Sequence, residues 1–167
     1  MRSHYVGSLA ATNANIEVGA IRGPNVSVIA CVTKDRMVYH EANTHSTNAQ
    51  IFSSFLMNLF ALIPERNAVF VLDNARIHKT REVIALFRTQ GRRVVFLPPY
   101  SPQLNMIETV FSKWKHIVRR MACQNTAELL VRIPQAAQQV TQSDLNGYFR
   151  KMIRYVTLAI SNQPYWS

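Results

Sequence analysis

Asp73 closes the apolar run "AVFVLD", and Glu108 sits in "PPYSPQLNMIETVFSKWK"; both are carboxylates in a chain with only 9 acidic residues against 19 basic ones. Ligands of open α/β sheets collect beyond the carboxyl ends of strands, which is where Asp73 falls. Hard ions such as Mg²⁺ prefer carboxylate oxygens. Cleaving or transferring a phosphodiester requires charge to be neutralised on the attacking and leaving oxygens, and paired divalent ions about 3.5 to 4 Å apart do this. Each acid also has a plainer use. Asp73 and Asn74 could cap the following turn. With Asn105 as N-cap, Glu108 falls at the third helical position and could close a capping box. The roles are compatible, because a first-turn carboxylate is held firmly at the positive end of a helix.

The charge balance points to a polyanion. Formal net charge is +10, which favours nucleic acid, with an anionic membrane surface as the competing partner. Membrane is disfavoured: the most continuous apolar stretch, "IFSSFLMNLFALI" at 51–63, is too short to span a bilayer. No basic-then-apolar signal segment opens the sequence. Ser112, Lys115 and Arg119 share the Glu108 face of a helix, with Lys113 and Arg120 alongside. They read either as a solvated face or, given the net charge, as phosphate contacts. Lys79, beside the first acidic motif, joins Lys113, Lys115, Arg119 and Arg120 as a candidate nucleic-acid contact. Cys31 and Cys123 lack metal-ligand spacing and fit reduced thiols of an intracellular protein.

These residues need elements to position them. "VSVIACVT" at 26–33 and "MVYHEA" at 37–42 read as a hairpin around "KDR". Ile51, Phe52, Phe55, Leu56, Leu59 and Leu62 recur at helical spacing up to Pro64. "AVFVLD" suits a strand covered on both faces. "KTREVIALFRTQG" predicts a helix stopped by Gly91, and "RRVVFLPPYSP" a strand that Pro98 and Pro99 break. A long helix begins near Asn105, and two amphipathic helices follow near 125–142 and 144–161. A hairpin, then alternating helix and strand, then helices, argues an α/β fold with a mixed sheet. Without repeat, low-complexity tract or linker, residues 1–167 read as one domain with a helical tail from about 125.

"VFVLDNARIHKT" followed by "VVFLPPYSPQLNMIETVFSKWK" resembles the DDE endonuclease domain of Tc1/mariner and IS630-type transposases. The interval from Asp73 to Glu108 is similar to that between the second and third catalytic acids in the family branch whose third acid is Glu. The resemblance covers residues 1 to about 125. It implies a ribonuclease-H-like mixed sheet flanked by helices, a two-ion Mg²⁺ or Mn²⁺ site, and metal-dependent cleavage and transfer of DNA strands. The implied partners are transposon ends and target DNA. It makes Asp73 and Glu108 the metal-binding catalytic acids, with Asn74, His78 and Asn105 as supporting motif residues. His78 could contact phosphate or support the metal shell, or be structural only. Pro98, Pro99 and Pro102 are read as fixing the approach to Glu108. The implied location is intracellular, in the nucleus of a eukaryote or otherwise with the chromosome in the cytoplasm.

The departures bear on activity. The family's first catalytic Asp lies on a central first strand, before a segment similar to "RSHYVGSLAATNANIEVGAIRG", and this sequence starts inside that segment. The expectation is therefore a fold lacking the family's first strand and first acid. Asp35, in the hairpin turn, and Asp144, in the helical tail, are no substitutes. Gln103 and Met106 stand where the family has Asp and Pro. Loss of a central strand would leave two rows of backbone groups unpaired, each costing about 1 to 3 kcal/mol if buried. Three outcomes stay open: re-pairing with residues 1–20, a strand from another chain such as a homodimer partner, or poor folding. Two functions follow, a DDE enzyme impaired by the missing acid or a non-catalytic DNA-binding remnant of a transposable element.

Overall fold

Strand β2, Val26–Val32, is buried along its whole length. Its alternate residues face opposite ways, so the strand must be covered on both sides. Val26, Val28, Ala30 and Val32 pack into one core with Ile107, Phe111, Trp114 and Ile133. Ile29 and Cys31 join another with Phe52, Phe55, Phe70 and Phe87. The result, in this computed structural model, is a sheet sandwiched between two helical layers. The structure describes residues 26–161 in full and residues 9–16 as backbone.

Among the described residues the sheet has five strands: β1 (Leu9–Ile16), β2, β3 (Met37–Asn43), β4 (Val69–Leu72) and β5 (Arg93–Phe96), in the order β3-β2-β1-β4-β5. β1 runs antiparallel to β2, with Asn13 opposite Ile29, and parallel to β4, with Ala11 opposite Leu72. β2 and β3 form the expected hairpin, with a register shift between Cys31 and Val32. β4 and β5 are parallel.

The central slot expected to stand vacant is thus taken by Leu9–Ile16. Of the three outcomes left open, the sheet re-pairs with its own chain, and that slot needs no strand from another. Filling it joins the hairpin to the parallel half through one continuous ladder, which removes the cost of two unpaired edges. Of residues 1–20, named for that re-pairing, 1–8 and 17–20 lie outside the described residues.

Among the described residues five α-helices flank the sheet: α1 (Ala49–Leu62), α2 (Arg81–Thr89), α3 (Met106–Arg120), α4 (Thr126–Ala137) and α5 (Gln142–Ile160). Their starts are set by capping side chains. Asn48 accepts from the Ile51 N–H at 2.9 Å, and Asn125 from the Glu128 N–H at 2.8 Å. Thr80 caps α2, so that helix begins after "KT" rather than with it, and Arg76–Lys79 form a short 3-10 turn instead. The exposed end of α1 is closed by Arg92, whose guanidinium donates to the carbonyls of Phe60, Ile63 and Glu65 at 3.0, 2.6 and 2.9 Å. Gly91 ends the α2 segment with φ of 61°, a backbone state that glycine adopts without strain. The buried Trp114 indole N–H donates to the Ile133 carbonyl at 2.9 Å, tying α3 to α4. No helix among the described residues is long and apolar enough to cross a membrane.

Candidate active site

Asp73 is the first residue after β4, and its position follows from the strand's burial. Phe70 and Leu72 are buried in the core, so the chain leaves the sheet at its carboxyl edge, where Asp73 emerges half-buried. Its carboxylate is held on two sides. Oδ1 accepts from the Ala75 N–H at 3.0 Å, the turn-capping role open to it from sequence. The same Oδ1 lies 2.7 Å from His78 Nδ1, a close polar contact set off the axis of a straight hydrogen bond. Burial pushes the Asp73 carboxyl up, but the His78 contact and the Ala75 N–H outweigh it and hold the group below the ordinary 3.8.

His78 is fully buried in the 3-10 turn. Its ring lies 4.4 Å, centroid to centroid, from that of Phe52 on α1. The histidine is therefore core packing on one side and a brace for Asp73 on the other.

Glu108 arrives from a different element. β5 ends at Phe96, and the Leu97 N–H donates to the Leu72 carbonyl at 2.8 Å, which keeps the outgoing loop beside Asp73. Pro98, Pro99 and Pro102 then deny the segment a further strand. Asn105 is the N-cap of α3, and Glu108 occupies the third helical position. The capping box does not form: α3 has no side-chain cap hydrogen bond, and the Asn105 N–H donates to the Pro102 carbonyl. The Glu108 carboxylate accepts no hydrogen bond among the described residues and stays available.

Asp73 and Glu108 line one open pocket of about 400 Å³, with Asn74, Ala75, Asn105 and the Leu97–Pro102 loop as the other walls. The Glu108 carboxyl is raised above the ordinary 4.5, first by partial burial and then by the negative charge of Asp73, with Lys115 opposing. Mutual repulsion of two anions is what a shared cation would relieve. Asn74 adds a buried side-chain oxygen that has no partner among the described residues. Two carboxylates and an amide oxygen are the hard donors that Mg²⁺ or Mn²⁺ would accept. Among the described residues no group of three His, Cys, Asp or Glu could hold a metal.

The basic residues divide. Lys115 lies near enough to act on Glu108, and Arg119 and Arg120 are exposed further along α3. Lys113 has an internal partner: its ammonium is bound by Asp144 at the start of α5, which closes that helix's capping box with Thr141. Lys79 is exposed, its ammonium 5.4 Å from the centroid of the Phe96 ring. Asp35 pairs with Lys34 in the hairpin turn, away from the pocket as expected. Sequence reasoning missed the open side of the pocket. Tyr100, on the loop, is fully exposed with φ of 56°, and the neighbouring prolines were the only signal of it.

Central β1 antiparallel to β2 and parallel to β4, an acid at the tip of β4 facing the same pocket as one in the first turn of α3, and helices on both faces define a ribonuclease-H-like domain. Residues 2–130 match the family model described as DDE superfamily endonuclease, and the chain belongs to that family. The fold is similar to the Mos1 transposase catalytic domain solved with raltegravir and Mg, with TM-score 0.77 and 18% identity over 95% of this chain and 85% of that one. The catalytic domain of Mos1 mariner transposase gives TM-score 0.76 and 18% identity over 95% and 83%. The Mos1 mariner paired-end complex with Mn gives TM-score 0.79 and 16% identity, covering 95% of this chain and 56% of that one. Among curated proteins none matches the sequence.

Proposed function

We propose that this chain is a transposase-derived DDE domain that binds DNA and one divalent cation, with strand cleavage and transfer impaired because the described residues place no third acid beside Asp73 and Glu108. The observation that carries this reading is the convergence of Asp73 and Glu108, from β4 and α3, on one pocket where each acid's charge bears on the other. Asp73, Glu108 and the Asn74 amide oxygen would hold Mg²⁺ or Mn²⁺. When bound, such an ion supplies charge neutralisation at the phosphate and at the attacking and leaving oxygens.

The chain's own residues do the rest. His78 and the Ala75 N–H fix the direction of the Asp73 carboxylate. The first turn of α3 holds Glu108 opposite it. Lys115, Arg119 and Arg120 draw the phosphate backbone along α3 towards the pocket. The impairment follows from β1, which occupies the central slot with "LAATNANI", a strand without Asp or Glu.

That same absence favours a second reading, a DNA-binding remnant that does not cut. Nicking of a supercoiled plasmid in Mn²⁺ separates the two. The DDE reading predicts slow nicking that Asp73→Asn and Glu108→Gln abolish. Nicking that survives either variant overturns it, and DNA binding without any nicking selects the remnant.

A further inference from the structure

We propose that Tyr100 is a stacking platform for an unpaired nucleobase next to the phosphate held at the Asp73–Glu108 pocket, an inference that rests on the DNA-binding reading of that pocket. Tyr100 lines the same pocket as the two acids. Its exposure is 101%, so its ring rests on nothing among the described residues. Its φ of 56° places a bulky residue in the left-handed region, where glycine or asparagine would sit with less strain. Strain kept at a pocket rim is found where a side chain must be presented outward.

The loop makes that presentation rigid. Pro98 and Pro99 precede the tyrosine and Pro102 follows it, each with φ locked. The Ser101 hydroxyl donates to the Pro99 carbonyl at 3.2 Å, across the tyrosine. With its backbone held in this way, the tyrosine has only two side-chain torsions left to order on binding. In a chain of net charge +10, the flat apolar partner that arrives with a polyanion is a nucleobase. Stacking accepts any base, because each has a π-face. Bases are open to it only where a duplex is frayed or opened, which is the state of DNA at a strand being cut or joined. The platform therefore selects DNA structure rather than DNA sequence.

The test uses a duplex ending in an unpaired overhang that carries 2-aminopurine, beside the same duplex made blunt, without added metal so that no cleavage intervenes. The wild-type chain is expected to quench the overhang's fluorescence and to bind it about tenfold more tightly than the blunt duplex. Tyr100→Phe keeps both effects. Tyr100→Leu, which retains apolar bulk without a π-face, loses both while its affinity for blunt duplex stays unchanged. Equal behaviour of Tyr100→Leu and wild type, equal affinity of the wild type for both duplexes, or no binding to either overturns the proposal. Nicking of the same DNA in Mn²⁺ is read separately: quenching without nicking removes the catalytic reading and leaves the platform standing.

Discussion

His78 Nδ1 lies 2.7 Å from Asp73 Oδ1, and the fully buried imidazole packs against Phe52 of α1. The carboxylate at the sheet's edge is thereby anchored to the hydrophobic core through one side chain. A disturbance at either end reaches the other.

His78→Ala removes a buried ring and the Asp73 contact together. The expected loss is about 2 to 4 kcal/mol, as for other large-to-small core changes, measured as a lower urea midpoint. A loss within about 0.5 kcal/mol, the range of an ordinary surface substitution, would show that the ring does not brace the site.

Glu108→Gln is expected to stabilise the fold slightly at neutral pH. A raised carboxyl binds its proton more readily in the folded state, so its ionised form opposes folding. Solvent screening keeps the gain to about half a kcal/mol, a rise in Tm on the order of 1 to 2 °C. The gain should disappear as pH falls through the raised Glu108 range towards the ordinary 4.5, because the wild-type acid is then neutral as well. A lower Tm for the variant at pH 7 contradicts this electrostatic account.

Asp144 has the opposite sign. The Lys113 ammonium, followed by Thr141, holds its carboxyl down at about 2. Its contribution is fully present above the ordinary 3.8 and is lost as pH falls towards 2. Asp144→Asn should cost about 1 to 2 kcal/mol at neutral pH, the worth of a closed capping box and its ion pair, a cost that shrinks as pH falls through about 2. Urea midpoints across that range check it.

DNA binding should separate the lysines. Neutralising Lys115, Arg119 or Arg120 is expected to reduce the log-log salt slope by about one each. Lys113→Ala should leave the slope unchanged and lower stability instead, because its charge is already spent on Asp144. A slope reduced by Lys113→Ala would return that lysine to the DNA face.

Much of this was legible in the residues. The hairpin, the helix after it and the two short parallel strands follow from periodicity and from Gly and Pro punctuation, and the structure has them within a few residues. Asp73 and Glu108 share a pocket, as their positions at a strand end and in a helix's first turn suggested. β1 was not legible: "LAATNANI" lacks the β-branched alternation of a strand, and it is a strand because neighbours on both sides need its backbone. The Lys113–Asp144 pair was hidden for a related reason, since the packing of α3 against α5 brings together residues far apart in sequence. The burial of His78 depends on Phe52, a contact that no local pattern encodes.

The most direct test of the shared site is Mn²⁺ binding to the purified chain at neutral pH, followed by electron paramagnetic resonance in the absence of DNA. One bound ion is expected in the wild type, with affinity reduced at least about tenfold in both Asp73→Asn and Glu108→Gln. An unchanged Mn²⁺ affinity in either variant, or no bound ion in the wild type, would contradict a cation held between Asp73 and Glu108.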